Sequence, residues 1–208
     1  PISPTIFIKK NITIPNLLKK VNGKKWNNFI IKPIGGTVAY GLGVFNTKEC
    51  SEKKVILEEY FGEENKYYDE YLVQEKIEGF TKYGEIKTFW IDGKLSYAVN
   101  TPGATSPDET YVVKREVKPE ILSHCEKIGN KIFEILPKIP FNNKKTIPVL
   151  IRIDFACCKG NRGEKKTNYF VNEIESDIAG LYINFKNINY PALEILANAY
   201  VQKAYELN

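Results

Sequence analysis

Residues 150–154, LIRID, and 169–175, YFVNEIE, set Arg152, Asp154, Glu173 and Glu175 among long apolar side chains. Carboxylates are rarely taken out of water unpaired, because losing hydration costs several kcal/mol per charge. Both segments read as strands. Side chains alternate across a strand, so Arg152, Asp154 and Ala156 share a face of the first. On the second, the same period groups Tyr169, Val171, Glu173 and Glu175 against Phe170, Asn172 and Ile174. An antiparallel hairpin turning near Gly163 would place Asp154 opposite Glu173 and Arg152 opposite Glu175. Opposed Cβ atoms lie about 5 Å apart, and two acids there repel unless a cation sits between them. Oxygen donors with no His or Cys nearby point to Mg²⁺ or Mn²⁺, held partly by substrate phosphates. Ordinary solvated acids on a surface strand are the alternative, and the apolar flanks argue against it.

A second acid–base pair lies in GEIKTFWIDGK, where Glu85 and Lys87 share a strand face. They form either a simple salt-bridge ladder or a ligand pair, with Glu85 accepting from sugar hydroxyls and Lys87 meeting phosphate. A third element is GGTVAYGLG, which holds Gly35, Gly36, Gly41 and Gly43. Such a loop lets backbone N–H groups approach phosphates, or it is a flexible hairpin tip. It is not a P-loop, since Lys32 precedes the glycines and no helix clearly follows.

The elements that must position these residues follow from pattern. FIIKPI (29–34) and VFNT are strands flanking the Gly-rich loop. SEKKVILEEYFGEE (51–64) reads as a helix with Ser51 as N-cap. YLVQEKIEG (71–79) starts as a strand and breaks at Gly79. Two runs flank Asp92-Gly93, a favoured hairpin turn. YVVKREV (111–117) is another strand, and Pro119 opens a helix to about Leu136. NYPALEILANAYVQKAYEL, with Pro191 at its start, reads as a final amphipathic helix. Strands and helices mix without strict βαβ alternation, which implies α+β lobes. TPGATSPDETYVVK joins two strands with small and polar residues and is expected to face an acceptor.

The 208 residues suffice for one domain or two lobes with a real core. Hydrophobic residues are 43% and charged residues 26%, ordinary for a globular protein. The net charge of +5 modestly favours acidic ligands, and the lysines are scattered, so no nucleic-acid partner is expected. No apolar run reaches membrane-span length, and PISPTIFIKK lacks the layout of a signal peptide. Four cysteines without a CxxC and a single His argue against a zinc site or disulfide framework and suit a reducing, cytoplasmic location. His124, Trp26, Trp90, Cys157 and Cys158 read as structure. With no Met even at position 1, the chain is expected to be a fragment or a processed product.

Taken in order, these pieces resemble the ATP-grasp superfamily. FIIKPIGGTVAYGLGVF is similar to its Lys-Pro strand and Gly-rich flap, and YLVQEKIEG to its interlobe hinge. GEIKTFWIDGK has the acid, base and Asp-Gly spacing of bacterial glutathione synthetases. RIDF followed by NEIE resembles the RVDF and NEIN of D-alanine–D-alanine ligases. PISPT resembles the opening of the central lobe. The resemblance implies an α+β ATP-grasp fold of two lobes, 1–73 and 74–208, clasping a nucleotide, without the family's N-terminal substrate domain.

It also implies roles. Lys32 would contact the nucleotide phosphates, with Gly35, Gly36, Gly41 and Gly43 closing over them. Gln74, Glu75, Lys76 and Ile77 would line the adenine, and Glu85 would bind the ribose. Lys87 stands where glutathione synthetases carry Arg. Asp154, Glu173 and Glu175 would hold Mg²⁺ (or Mn²⁺) bridging ATP phosphates, although Glu175 replaces the usual Asn. Arg152 would stabilise charge in phosphoryl transfer, with Lys87 beside it. The implied activity is ATP-dependent ligation of a small-molecule or peptide carboxylate to an amine, or to a thiol, through an acylphosphate. A small-molecule kinase and a non-catalytic nucleotide-binding module stay open, as does oligomerisation.

Overall fold

The computed structural model describes residues 2–36, 39–101, 117–141, 143–158, 169–176, 181 and 191–207. The first sheet is built from β1 (Thr5–Lys9), β2 (Asn28–Pro33), β3 (Gly43–Asn46) and β4 (Glu70–Glu75), all antiparallel, in the order β1-β4-β2-β3. Alternation in β2 decides its two faces. Phe29 and Ile31 are fully buried, while Asn28, Ile30 and Lys32 on the other face are half-buried. The buried face packs on α1 (Ile14–Gly23), whose stripe of Leu17, Leu18 and Val21 repeats at helical spacing. Trp26, Tyr71 and Val73 complete that core.

The helix expected over 51–64 differs. Asn46 is the N-cap, its side-chain oxygen accepting from the Glu49 N–H at 3.0 Å, so the helix starts earlier as α2 (Thr47–Glu52). Asn followed three residues on by Glu is a capping pattern that the choice of Ser51 overlooked. Ser51 lies inside that helix and donates to the Thr47 carbonyl at 2.8 Å. The chain breaks at Lys53 and resumes as α3 (Val55–Glu59), running into a π-helical turn at Tyr60–Glu64.

The strand expected to break at Gly79 ends sooner, at Glu75. The Lys76 N–H bonds the Asn28 carbonyl at 3.0 Å, and β2 begins there, so the ladder has no further partner. Gly79 instead sits within α4 (Glu78–Tyr83), which closes at Gly84 with φ +78°.

The second sheet holds β5 (Glu85–Ile91), β6 (Lys94–Thr101), β9 (Leu150–Cys157) and β10 (Tyr169–Glu175), antiparallel in the order β10-β9-β5-β6. Asp92 (φ 48°) and Gly93 (φ 77°) form the expected tight turn between β5 and β6. A small hairpin, β7 (Ile139–Phe141) and β8 (Lys144–Thr146), was not foreseen. One face of the second sheet carries Ile86, Trp90, Ile151, Ile153 and Phe155 against α5 (Pro119–Ile135). The close approach of α5 rests on Gly129, where a Cβ would fall 2.1 Å from the Trp90 ring. The expected strand over 111–117 lies outside the described residues up to 116.

The last helix, α6 (Ala192–Leu207), forms as expected but does not bury an apolar stripe. Leu193, Tyr200 and Val201 are exposed, and Ala192 is its buried residue. Lys203 ties it to Asp92 of the β5–β6 turn at 2.7 Å. Among the described residues no helix is long and apolar enough to cross a membrane.

The chain passes between the two sheets at neighbouring points. Ile2 bridges Val171 of β10 in parallel before the chain enters β1, where Thr5 pairs with Gln74. Residues 76–84 make the second passage, from β4 to β5. The Gln74 side chain donates to Thr5 Oγ1 at 2.8 Å, tying the two passages together.

Candidate functional site

The face of the second sheet turned away from α5 is charged at one end and aromatic at the other. Cross-strand register sets Thr101, Glu85 and Ala156 in one row, and Val99, Lys87, Asp154 and Glu173 in the next. Tyr97, Phe89, Arg152 and Glu175 form the third, with Phe89 and Tyr97 stacked at 4.3 Å between centroids. Directly opposed residues point to the same side, so the register alone gathers these groups.

The expected opposition of Asp154 with Glu173 and of Arg152 with Glu175 is present. The expected face for Tyr169 and Val171 is not. A β-bulge at Asn172 shifts the register between Val171 and Glu173, so Val171 opposes Phe155 and Tyr169 opposes Cys157, both on the α5 side. The extra residue lets an apolar, α5-facing half of β10 change into an acidic half without a break. It also turns the Asn172 side chain to Glu85 Oε1, to which it donates at 2.7 Å.

The charges neutralise one another in a chain. Lys87 Nζ lies 2.6 Å from Asp154 Oδ2 and 2.8 Å from Glu85 Oε2. Arg152 grips Asp154 in fork geometry, Nε to Oδ1 and an NH2 to Oδ2, both at 2.8 Å. The same guanidinium reaches Glu175 Oε1 at 2.5 Å. Asp154 is fully buried, and Glu85, Lys87 and Arg152 are nearly so. Ion pairs this dry depend on full mutual compensation. Of the two readings of Glu85 and Lys87, the ladder is therefore present, but it extends to Asp154 on the next strand. Burial pushes the Glu85 carboxyl up from its ordinary value against the pull of Lys87. Burial likewise pushes up Glu175, with Arg152 opposing and Glu173 and Asp154 adding to the rise.

Asp154, Glu173 and Glu175 each present an oxygen within 4.8 Å of the others. Glu173 is exposed and Glu175 half-buried. Three carboxylate oxygens with no nitrogen or sulfur among them suit a hard divalent cation. Arg152 takes one lone pair on each Asp154 oxygen, and Lys87 a second on Oδ2, which leaves room on Oδ1.

The other sequence candidates belong to the first sheet. Lys32 is half-buried on its non-core face, in a row with Leu72 and Phe7, and forms no ion pair among the described residues. Ile30 and Val44 pair in the neighbouring row, so Lys32 stands on an apolar platform not named from sequence. In the flap, Gly41 (φ +74°) and Gly43 serve packing. A Cβ on Gly41 would meet Asn65 Oδ1 at 2.3 Å, and one on Gly43 the Phe45 ring at 2.5 Å. Gly35 (φ +84°) has nothing within 4 Å of that position, and Gly36 turns back on Pro33. The flap tip, residues 37–38, lies outside the described residues. At the passage from β4, Gln74 is buried and turned to Thr5, while Glu75, Lys76 and Ile77 are half-buried. The Ile77 carbonyl accepts from the Phe80 N–H at 3.0 Å.

Two polar residues of the charged face were overlooked. Asn172 was placed on the opposite face by strict alternation, and no sequence signal marks the bulge. Thr101 closes the row beside Glu85, and its hydroxyl is buried without a hydrogen-bond partner among the described residues. The rest of the segment TPGATSPDETYVVK, expected to face an acceptor, lies outside the described residues.

No family model matches the sequence, and no curated protein matches it. Solved structures do. D-cycloserine synthetase DcsG superposes with a TM-score of 0.69 at 15% identity, covering 98% of this chain and 65% of its own. The D-alanine–D-alanine ligase of Bacillus anthracis complexed with ATP gives 0.60 at 17% identity, covering 100% of this chain and 62% of its own. The ATP-grasp ligase PsnB, complexed with a precursor variant, Mg and ADP, gives 0.57 at 14%, covering 98% and 54%. The chain thus spans between about half and two thirds of each of these three. Two antiparallel four-stranded sheets joined by neighbouring passages, superposable over nearly their whole length on these ligases, give the chain the ATP-grasp fold.

Proposed function

We propose that this chain forms the Mg-ATP-binding part of a ligase that joins a carboxylate to an amine, or to a thiol, through an acylphosphate. The observation that carries this reading is the convergence of Asp154, Glu173 and Glu175 beside Arg152 and Lys87, within this fold. On this reading the lobes are 1–73 and 74–208, and the nucleotide lies between them.

The three acids would hold Mg²⁺, which when bound screens the charge of the nucleotide phosphates. Arg152 and Lys87 are already fixed by Asp154, so they meet developing negative charge without reorganising. Lys32, with the amides at Gly35 and Gly36, contacts the phosphates. The backbone from Gln74 to Ile77 and the Ile30–Leu72 platform take the adenine. Glu85 accepts from the ribose. In the first step a carboxylate oxygen of the substrate attacks the γ-phosphorus, the bond to the β-phosphate oxygen breaks, and ADP leaves. In the second the amine nitrogen attacks the acyl carbon, inorganic phosphate departs, and the nitrogen loses a proton. The first step needs no general base, which suits a chain with one His, placed in α5.

Titration calorimetry of the chain with ATP, with and without Mg²⁺, tests the binding half. Metal-dependent affinity that Glu173→Gln weakens is expected; metal-independent binding would overturn the acid assignment. Trapping with hydroxylamine over a panel of amino acids and short acidic peptides tests the chemistry. Hydroxamate with ADP supports the ligase. A phosphorylated alcohol would make it a kinase, and binding with no turnover a nucleotide-binding module.

A further inference from the structure

Thr101 ends β6 directly opposite Glu85, on the charged face of the second sheet. It is 1% exposed, and among the described residues its Oγ1 has no hydrogen-bond partner. A buried hydroxyl left unpaired is costly, so a partner that arrives with a ligand is the economical explanation. Its position is closely held. Gly84, just before Glu85, sits so near that a Cβ there would fall 2.1 Å from the Thr101 carbonyl oxygen. Glu85, across the strand, keeps each carboxylate oxygen on a single donor among the described residues, Oε1 on Asn172 and Oε2 on Lys87. Each oxygen can accept a second bond.

We propose that Thr101 is a specificity-determining residue, which together with Glu85 recognises a ligand hydroxyl that donates to the carboxylate and accepts from the threonine. A hydroxyl does both, whereas an ammonium group only donates and leaves the threonine proton unpaired, and a carbonyl only accepts and leaves the carboxylate unmet. The proposal rests on the reading that a nucleotide occupies this face, and in that frame the group is a ribose hydroxyl. Thr101 then makes the site prefer ribonucleotide over deoxyribonucleotide, because an analogue lacking the hydroxyl leaves the threonine hydroxyl unpaired and an acceptor position of the carboxylate unfilled.

The test measures binding of Mg-ATP, Mg-2′-deoxy-ATP and Mg-3′-deoxy-ATP to the chain and to Thr101→Val and Thr101→Ser. The wild-type chain should prefer ATP over one of the two analogues by about tenfold or more. Thr101→Val should lose most of that preference, and Thr101→Ser should keep it. Without nucleotide, Thr101→Val should be as stable as the parent or more so, since a methyl replaces an unpaired hydroxyl. Wild-type binding of ATP and both analogues with equal affinity overturns the proposal, whatever the folding of Thr101→Val. So does ATP preference that survives in Thr101→Val. Failure of the wild-type chain to bind Mg-ATP at all overturns the nucleotide reading itself, and this inference with it.

Discussion

Removing the Asp154 carboxylate leaves Arg152 and Lys87 buried without the acid they share. Breaking one partner out of such a network costs about 3–5 kcal/mol, so Asp154→Ala should lose that much in denaturant unfolding. Glu173 is exposed and outside the ion pairs described, so Glu173→Gln should change stability by less than about 0.5 kcal/mol while it weakens metal binding. The two acids thus separate: one builds the cluster and the other only serves it. Two residues of the core between β10 and α5, Tyr169 and Cys125, contribute an alkaline dependence. Burial pushes the Cys125 thiol from 9.0 to about 12 and the Tyr169 phenol from 10.0 to about 12. Both folded values lie above the unfolded ones, so the neutral forms favour the native state. Their contribution is complete below about pH 9 and is lost as pH rises toward 12. Unfolding midpoints at pH 8, 10 and 11 should fall in that order, and Cys125→Ala together with Tyr169→Phe should flatten the decline.

Within β10 the bulge makes an unusual deletion tolerable. Asn172 is the residue without a partner on β9, and removing it restores strict alternation with Tyr169 and Val171 toward α5 and Glu173 and Glu175 away from it. A variant lacking Asn172 should therefore fold, losing about 1.5–3 kcal/mol with the Glu85 hydrogen bond. Deleting Ile174 instead turns one end of the strand over and should abolish cooperative unfolding followed by circular dichroism. In α5, Gly129→Ala drives a methyl into Trp90 and should cost about 1–3 kcal/mol, with a shift in tryptophan emission. Strand periodicity and the Asp92-Gly93 turn made β2, β5, β6 and β9 legible from sequence. The bulge was not, because an added residue carries no side-chain signature. Nor was the end of β4, which is fixed by where β2 begins.

Across the whole molecule, the proposed nucleotide binding is measurable as added stability. A nucleotide present at a hundredfold over its dissociation constant adds about 2.7 kcal/mol. For a chain of this size that raises the melting temperature by about 5–11 °C. Mg-ATP should produce such a shift and ATP with EDTA a smaller one; equal shifts would count against a metal at the three acids. Much of the candidate site could be named from sequence because Lys32, Glu85, Arg152, Asp154, Glu173 and Glu175 carry charge in apolar stretches of sequence. Thr101 and the Ile30–Leu72 platform were not, since their residue types are ordinary and only register gives them neighbours. The two passages between the sheets, the entry from Ile2 to Thr5 and residues 76–84, lie side by side because Thr5 pairs with Gln74. A door hung on two adjacent pins swings freely about the line through them and resists being wrenched sideways. On the proposed reading, two adjacent connections confine relative movement of the sheets in the same way to a single opening direction, and that direction is the one by which Lys32 approaches the acids.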